Sequence, residues 1–150
     1  METIMKKKKK YKSNYALKGR DTQEIADYLD TLCKLKGGEL TPDEVLQDAK
    51  KRSSLLHGLF DWDDNQAAQK WRMHQARLLL NGIVEVVEIQ GVETKMRSFY
   101  NVHNTKQERV YVTLETATTN QNYVKQLLND CEGYIEHFLS VIKLLKQRIK

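Results

Sequence analysis

Residues 57–80, HGLFDWDDNQAAQKWRMHQARLLL, hold the chain's densest set of distinctive side chains, and their reading decides the fold. Two explanations compete for the acids Asp61, Asp63 and Asp64 in this stretch. With His57 they would make a divalent-metal cluster, but no second histidine stands at the i, i+4 helical spacing that gives zinc motifs their force. As architecture, Asp63 caps a helix, Gln66 three residues on completes a capping box, and Asp64 places negative charge at the positive end of the helix dipole. The second explanation places Asp63, Asp64 and Gln66 at their proper spacing, so the segment is read as the capped start of a helix. Along that helix Ala68, Trp71, Leu78, Leu79 and Gly82 trace an inward face and Lys70, His74, Arg77 and Asn81 an outer one, with Arg72 and Gln75 between. His57, Leu59, Phe60 and Trp62 fold over the helix start like a hydrophobic staple.

Upstream, the pattern is helical from Asp21, with Ile25, Tyr28, Leu29, Leu32 and Leu35 at three-and-four spacing and Gly37–Gly38 as the stop. A second start follows: Thr41 as N-cap, Pro42 at the first helical position and Glu44 three residues later. Two helices joined by a glycine turn invite a helix-turn-helix reading. The second helix is acidic at its N-terminal end, where a recognition helix would meet DNA, and this argues against sequence-specific readout.

Downstream of Gly82 the period changes to two. Residues 83–89, 96–102 and 109–117 read as three strands of an antiparallel meander, which needs a helix over one face. The helix expected to cover it starts at Thr118, with Val124, Leu128, Cys131, Ile135, Phe138, Ile142, Leu145 and Ile149 at alternating four-and-three spacing. Leu128, Ile135, Phe138, Ile142 and Leu145 are thus candidates for a core or an oligomer seam. Leu127, Tyr134 and Val141 broaden the stripe, which suits a covering helix or a bundle better than a bare two-stranded coiled coil. Cys33 and Cys131 both fall in apolar patterns and read as reduced core thiols.

The expected class is α+β, with a basic flexible arm over 1–20 and a single domain over 21–150. Within that domain 21–82 is helical, 83–117 is the meander and 118–150 the C-terminal amphipathic helix. Charge is divided the same way. Residues 1–20 hold Lys6, Lys7, Lys8, Lys9, Lys10, Lys12, Lys18 and Arg20 against one acid, a net of +7, while the other 130 residues sum to −2. Such an arm binds phosphates of DNA or RNA by counterion release, without choosing a base sequence, and Tyr11 and Tyr15 could stack on unpaired bases. A polybasic tail also suits a membrane surface or mere solubility.

No run of eighteen apolar residues and no signal-peptide h-region occurs, which leads to the expectation of an intracellular protein without a membrane span. G-x-S-x-G, P-loop and dinucleotide fingerprints are absent, so neither a catalytic residue nor a cofactor nor a metal is expected.

The segment Ser54, Leu55, Leu56, His57, Phe60, Trp62, Asp63, Asp64, Ala67, Ala68, Arg72, Gln75, Ala76, Arg77 and Leu78 resembles S-P-L-H-x-x-F-x-W-D-D-x-x-A-A-x-x-x-R-x-x-Q-A-R-x-L-I, found in small phage- and prophage-encoded proteins. Leu55 stands where those proteins have proline. The resemblance covers about 25 residues and implies a mobile-element origin, hence a host-cytoplasmic or virion-associated protein; it carries no activity and no catalytic residues. Together these observations favour a phage-type accessory or structural protein that associates with nucleic acid through the arm and forms oligomers through the C-terminal helix. The alternative is a protein-binding module, a virion component or an inhibitor of a host factor, whose contact is formed by His57, Lys70, Arg72, His74 and Arg77.

Overall fold

The structure is a computed structural model that describes residues 8–62 and 66–149; of residues 66 and 67 only the backbone is described. The protein is of α+β class. In chain order it contains β1 (Lys10–Ser13), α1 (Thr22–Leu35), α2 (Pro42–Ala49), a 3-10 turn (His57–Leu59) and α3 (Gln66–Gly82), followed by β2 (Ile83–Ile89), β3 (Val92–Arg97), β4 (Phe99–His103), β5 (Arg109–Thr113), α4 (Leu114–Thr119) and α5 (Gln121–Arg148). Where the sequence suggests one domain over 21–150, the chain divides into two compact units, Met1–Leu114 and Glu115–Lys150.

Helix starts in the N-terminal half follow local chemistry. The Asp21 carboxylate accepts from the Glu24 N–H at 3.1 Å. Thr41 and Glu44 form the full reciprocal box, the Glu44 N–H donating to Thr41 Oγ1 at 3.2 Å and the Thr41 N–H to Glu44 Oε2 at 2.8 Å. These bonds satisfy helix-terminal donors that would otherwise face water alone. After α1, Gly37 and Gly38 adopt φ of +82° and +87°, and the Gly38 N–H reaches back to the Cys33 carbonyl at 2.8 Å, closing the helix in the left-handed conformation glycine tolerates. Ile25, Ala26, Leu29, Leu32 and Cys33 of α1 are buried with Val45, Leu46 and Ala49 of α2, while Leu35, expected on the inward stripe, is 78% exposed. Burial pushes the Cys33 thiol up to about 11, with nearby Asp30 adding to the effect, so it stays protonated at neutral pH.

The β half departs from the expected meander. Its second predicted strand, 96–102, is cut at Ser98, and two sheets result: a three-stranded one ordered β1-β2-β3 and a two-stranded one of β4 and β5. Ser98 donates its N–H to the Ile83 carbonyl at 3.1 Å and accepts from the Leu114 N–H at 2.9 Å, so its backbone ties the end of the first hairpin to the end of the second. The first hairpin turns through Gln90 and Gly91, both at positive φ (49° and 80°), the two-residue geometry that matches the right-handed strand twist.

A larger departure concerns residues 1–20. From Lys10 onward the supposed arm belongs to the fold: β1 pairs antiparallel with β2, and Leu17 is buried in the core. As an edge strand β1 has an unpaired side. Gln23 of α1 covers it, accepting from the Tyr11 N–H at 3.3 Å and donating to the Lys9 carbonyl at 2.8 Å. The cover over the sheet's inner face comes from α1, which packs on β1. Residues 128–149 of the C-terminal helix, expected to be buried as a cover, are exposed throughout.

Gly82 shows how tightly the N-terminal segment is seated. A Cβ there would lie 2.8 Å from Tyr15 Cβ and 3.1 Å from the Tyr15 backbone nitrogen, while the Gly82 carbonyl accepts from the Asn14 N–H at 2.9 Å. Gly82→Ala should therefore destabilise by about 1–2 kcal/mol despite alanine's better helix propensity, because the backbone must give way. A chemical-denaturation midpoint measures it, and an unchanged or raised midpoint would contradict this close approach.

Candidate nucleic-acid interface

The lysine run alternates once it is a strand. The register Lys10↔Val86↔Lys95 and Lys12↔Val84↔Arg97 places four cations on one face of the sheet, since directly paired residues share a face. All four are exposed, and the valines between them, Val84 buried and Val86 half-buried, form an apolar strip flanked by their alkyl stems. Strand spacing and rise put these cations at the corners of a rectangle of about 10 Å by 7 Å. At the hairpin end the same face carries the paired Glu88 and Glu93, so the positive surface is bounded on that side. Lys95 and Arg97 were not among the sequence-predicted site residues; the signal for them was the alternation of VETKMR, meaningful only once β1 is known to pair in the same sheet.

The opposite face turns inward. It bears Tyr11 and the buried Glu85 directly across from it. Tyr11 is packed against the core, and its hydroxyl is held well above its ordinary range by burial first and then by Asp30, Glu85 and Asp27. Tyr15 is likewise packed on the core, so the expected stacking of these two rings on bases is corrected: both rings serve the interior. Lys18 and Arg20 are also separate from the sheet face. Lys18 Nζ donates to Asp61 Oδ1 at 2.9 Å, and the Arg20 guanidinium lies where a Cβ on Gly58 would sit. Lys6 and Lys7 lie outside the described residues.

The second predicted set, His57, Lys70, Arg72, His74 and Arg77, divides in two. His57 and Arg72 belong to an internal stack and do not share the outer surface. The His57 ring lies against Trp62 at 4.9 Å and 9° interplanar angle, with its Nδ1 at 2.8 Å from the Ala49 carbonyl. Trp62 Nε1 donates to the His57 carbonyl at 2.8 Å, and the Arg72 guanidinium sits 5.4 Å from the Trp62 ring while Nη1 donates to the Asp61 carbonyl at 3.0 Å. The helix face is accordingly rotated from expectation: Arg72, Gln75, Ala76, Leu79 and Leu80 are buried, and Trp71 is 50% exposed. The reason is the 57–62 segment, whose backbone carbonyl and indole offer Arg72 partners that an apolar stripe could not use. Asp61 gathers the surroundings. Its carboxyl is held below the ordinary range first by the Lys18 hydrogen bond and charge, then by donors from Trp71 and Gln75.

Lys70, His74 and Arg77 remain on the exposed side of α3 beside Trp71 and Leu78, and Lys70 and Arg77, with Gln69 and Met73, line an open depression of about 630 Å³. The cap assigned to Asp63 and Asp64 lies outside the described residues, as does the side chain of Gln66. Among the described residues no three His, Cys, Asp or Glu side chains gather as metal ligands, and no helix is long and apolar enough to cross a membrane.

In the second unit the predicted start at Thr118 is replaced by a short α4 and a break, and Asn120 caps α5, accepting from the Asn122 and Tyr123 N–H groups at 3.0 and 3.3 Å. Leu128, Ile135, Phe138, Ile142 and Leu145 are 46–62% exposed, and Cys131, expected in a core, is exposed as well. No protein-family model matches the chain, and neither curated proteins nor solved structures give a match to it.

Proposed function

We propose that the protein binds nucleic acid through its phosphate backbone, as an accessory or structural protein of phage type that acts as an oligomer. The observation that carries this reading is the sheet face on which Lys10, Lys12, Lys95 and Arg97 surround Val84 and Val86. Lys8, exposed just before β1, adds to the same charge. Three of the four cations are lysines, and the Arg97 guanidinium is engaged through Nη2 with Asn81 Oδ1 at 3.2 Å, so the face is suited to phosphate contacts and binding is indifferent to sequence.

Each phosphate neutralised contributes about 0.9 to the slope of log affinity against log salt on duplex DNA. Replacing Lys95 and Arg97 by alanine should lower that slope by roughly 2 and weaken binding at least tenfold at low salt. Fluorescence anisotropy with a labelled duplex and a labelled single strand, over a salt series, measures both quantities. If the double variant binds as the parent does, while removal of residues 1–7 abolishes binding, the sheet is not the interface.

A second reading, a protein-binding module, is favoured by the half-exposed Trp71 on α3 with His74 and Leu78 beside it, since aromatic and arginine side chains dominate interface hot spots. Absence of any binding to duplex or single strand at low salt would favour that reading over the first.

A further inference from the structure

We propose that α5 pairs with α5 of a second copy of this chain as a parallel, in-register, two-stranded coiled coil, with Cys131 facing its own counterpart across the seam. This deepens the oligomeric part of the function proposed above and rests on it.

The alternating spacing assigns Leu128, Ile135, Ile142 and Ile149 to one set of seam positions and Cys131, Phe138 and Leu145 to the other. All seven are exposed, so a seam of three heptads lies open along α5 among the described residues. Isoleucine holds three of the four first positions (135, 142 and 149), and leucine, the second-position residue of two-stranded coils, stands at 145 with no isoleucine in that set. A three-heptad seam buried on both copies comes to the order of 1,600 Å², the size of a stable protein–protein interface.

Charge selects the orientation. In a fully overlapped antiparallel pair, flanking Lys125 would face Lys146 of the other helix at both ends, two like-charge contacts. Parallel and in register, the flanking pairs become Leu127 with Glu132, Tyr134 with Leu139 and Val141 with Lys146. No like charges meet, and Tyr134 and Leu139, 68% and 60% exposed in the single chain, cover one another. Leu144 lies outside this seam and is not explained by it.

Cys131 reports the geometry directly. In the parallel pair the two thiols lie in one layer, within the roughly 4.4–6.8 Å Cα separation that a disulfide needs. In the antiparallel pair Cys131 sits opposite Ile142, which separates the two cysteines by eleven residues, about 16 Å along the helix. Cys33 is buried and takes no part.

The test uses the full chain without nucleic acid. Light scattering should give a dimer at both low and high salt, and copper-catalysed air oxidation should convert most of it to a disulfide-linked dimer on a non-reducing gel. Cys131→Ser should remain a dimer and give no cross-linked band. Moving the thiol to the outer side, with Cys131→Ser combined with Ser140→Cys, should slow cross-linking at least tenfold. Ile135→Asp with Ile142→Asp should give a monomer even at a hundredfold higher concentration, its first unit still unfolding at the parental midpoint.

A monomeric parent overturns both this pairing and the oligomeric part of the proposed function. A dimer that fails to cross-link, or a trimer, overturns the parallel two-stranded arrangement alone. Nucleic-acid affinity, measured separately on the Lys95 and Arg97 variant, stands or falls independently of either result.

Discussion

Replacing Phe99 with alanine is expected to remove about 3–5 kcal/mol from the stability of the first unit, the range for large aromatic deletions in a packed core. Phe99 is 2% exposed and is the largest of the fully buried side chains. It opens β4, paired with Thr113 of β5, one residue after the Ser98 backbone has bonded both Ile83 and Leu114. The surroundings are therefore anchored from two directions and collapse poorly into the space a ring leaves, which places the cost towards the upper part of the range. Urea unfolding followed by circular dichroism should show the midpoint falling at unchanged slope, and Phe99→Leu should lose much less. A loss below about 1 kcal/mol for the alanine variant would mean that the two sheets do not close on a shared core at this point.

Arg72→Ala is expected to cost about 2–4 kcal/mol, although arginine on a helix of mixed composition is ordinarily a surface residue. Arg72 is 8% exposed, and two attachments converge on its desolvated guanidinium: the 3.0 Å bond to the Asp61 carbonyl and the contact with the Trp62 ring. Removing it leaves that carbonyl and the indole face without their cation, and the stack through His57 to the Ala49 carbonyl loses one wall. Arg72→Lys should recover only part of the loss, because an ammonium cannot lie flat on the ring and donate sideways together. In a double-mutant cycle with Trp62→Ala the coupling should exceed about 1 kcal/mol. Additivity of the two substitutions would show that the stack is a packing coincidence.

Legibility in the sequence followed the range of the interaction. The Thr41–Glu44 box, Pro42 at the first helical position and the glycine stop at 37–38 all occur as read, because each depends on hydrogen bonds spanning a few residues. The α3 face was misjudged for a related reason. Hydrophobicity places Trp71 inward, but Arg72 gains a partner from residues about ten positions away, and that gain outweighs the apolar pattern. The sheet face was visible only in part: the run Lys8–Lys12 announces charge, and its charge total was correct, yet a lysine run gives no sign that every second side chain will be sorted to one side.

What the sequence determined by itself is the α+β class, the capped starts of α1 and α2 with the glycine stop between them, the concentration of basic charge before residue 21, and the unbroken four-and-three stripe of α5. What only the tertiary structure decided is where those features act. Pairing Lys10 with Val86 joins residues 76 positions apart, and it turns residues 10–13 of a supposed arm into an edge strand whose lysines line up with Lys95 and Arg97. The cut at Ser98 divides one apolar run between two sheets, and exposure from Leu128 to Ile149 makes the α5 stripe a surface. Caps and turns are set by contacts within a turn of chain, whereas register and burial depend on which distant segments arrive to compete for the same hydrogen bonds and the same apolar surface.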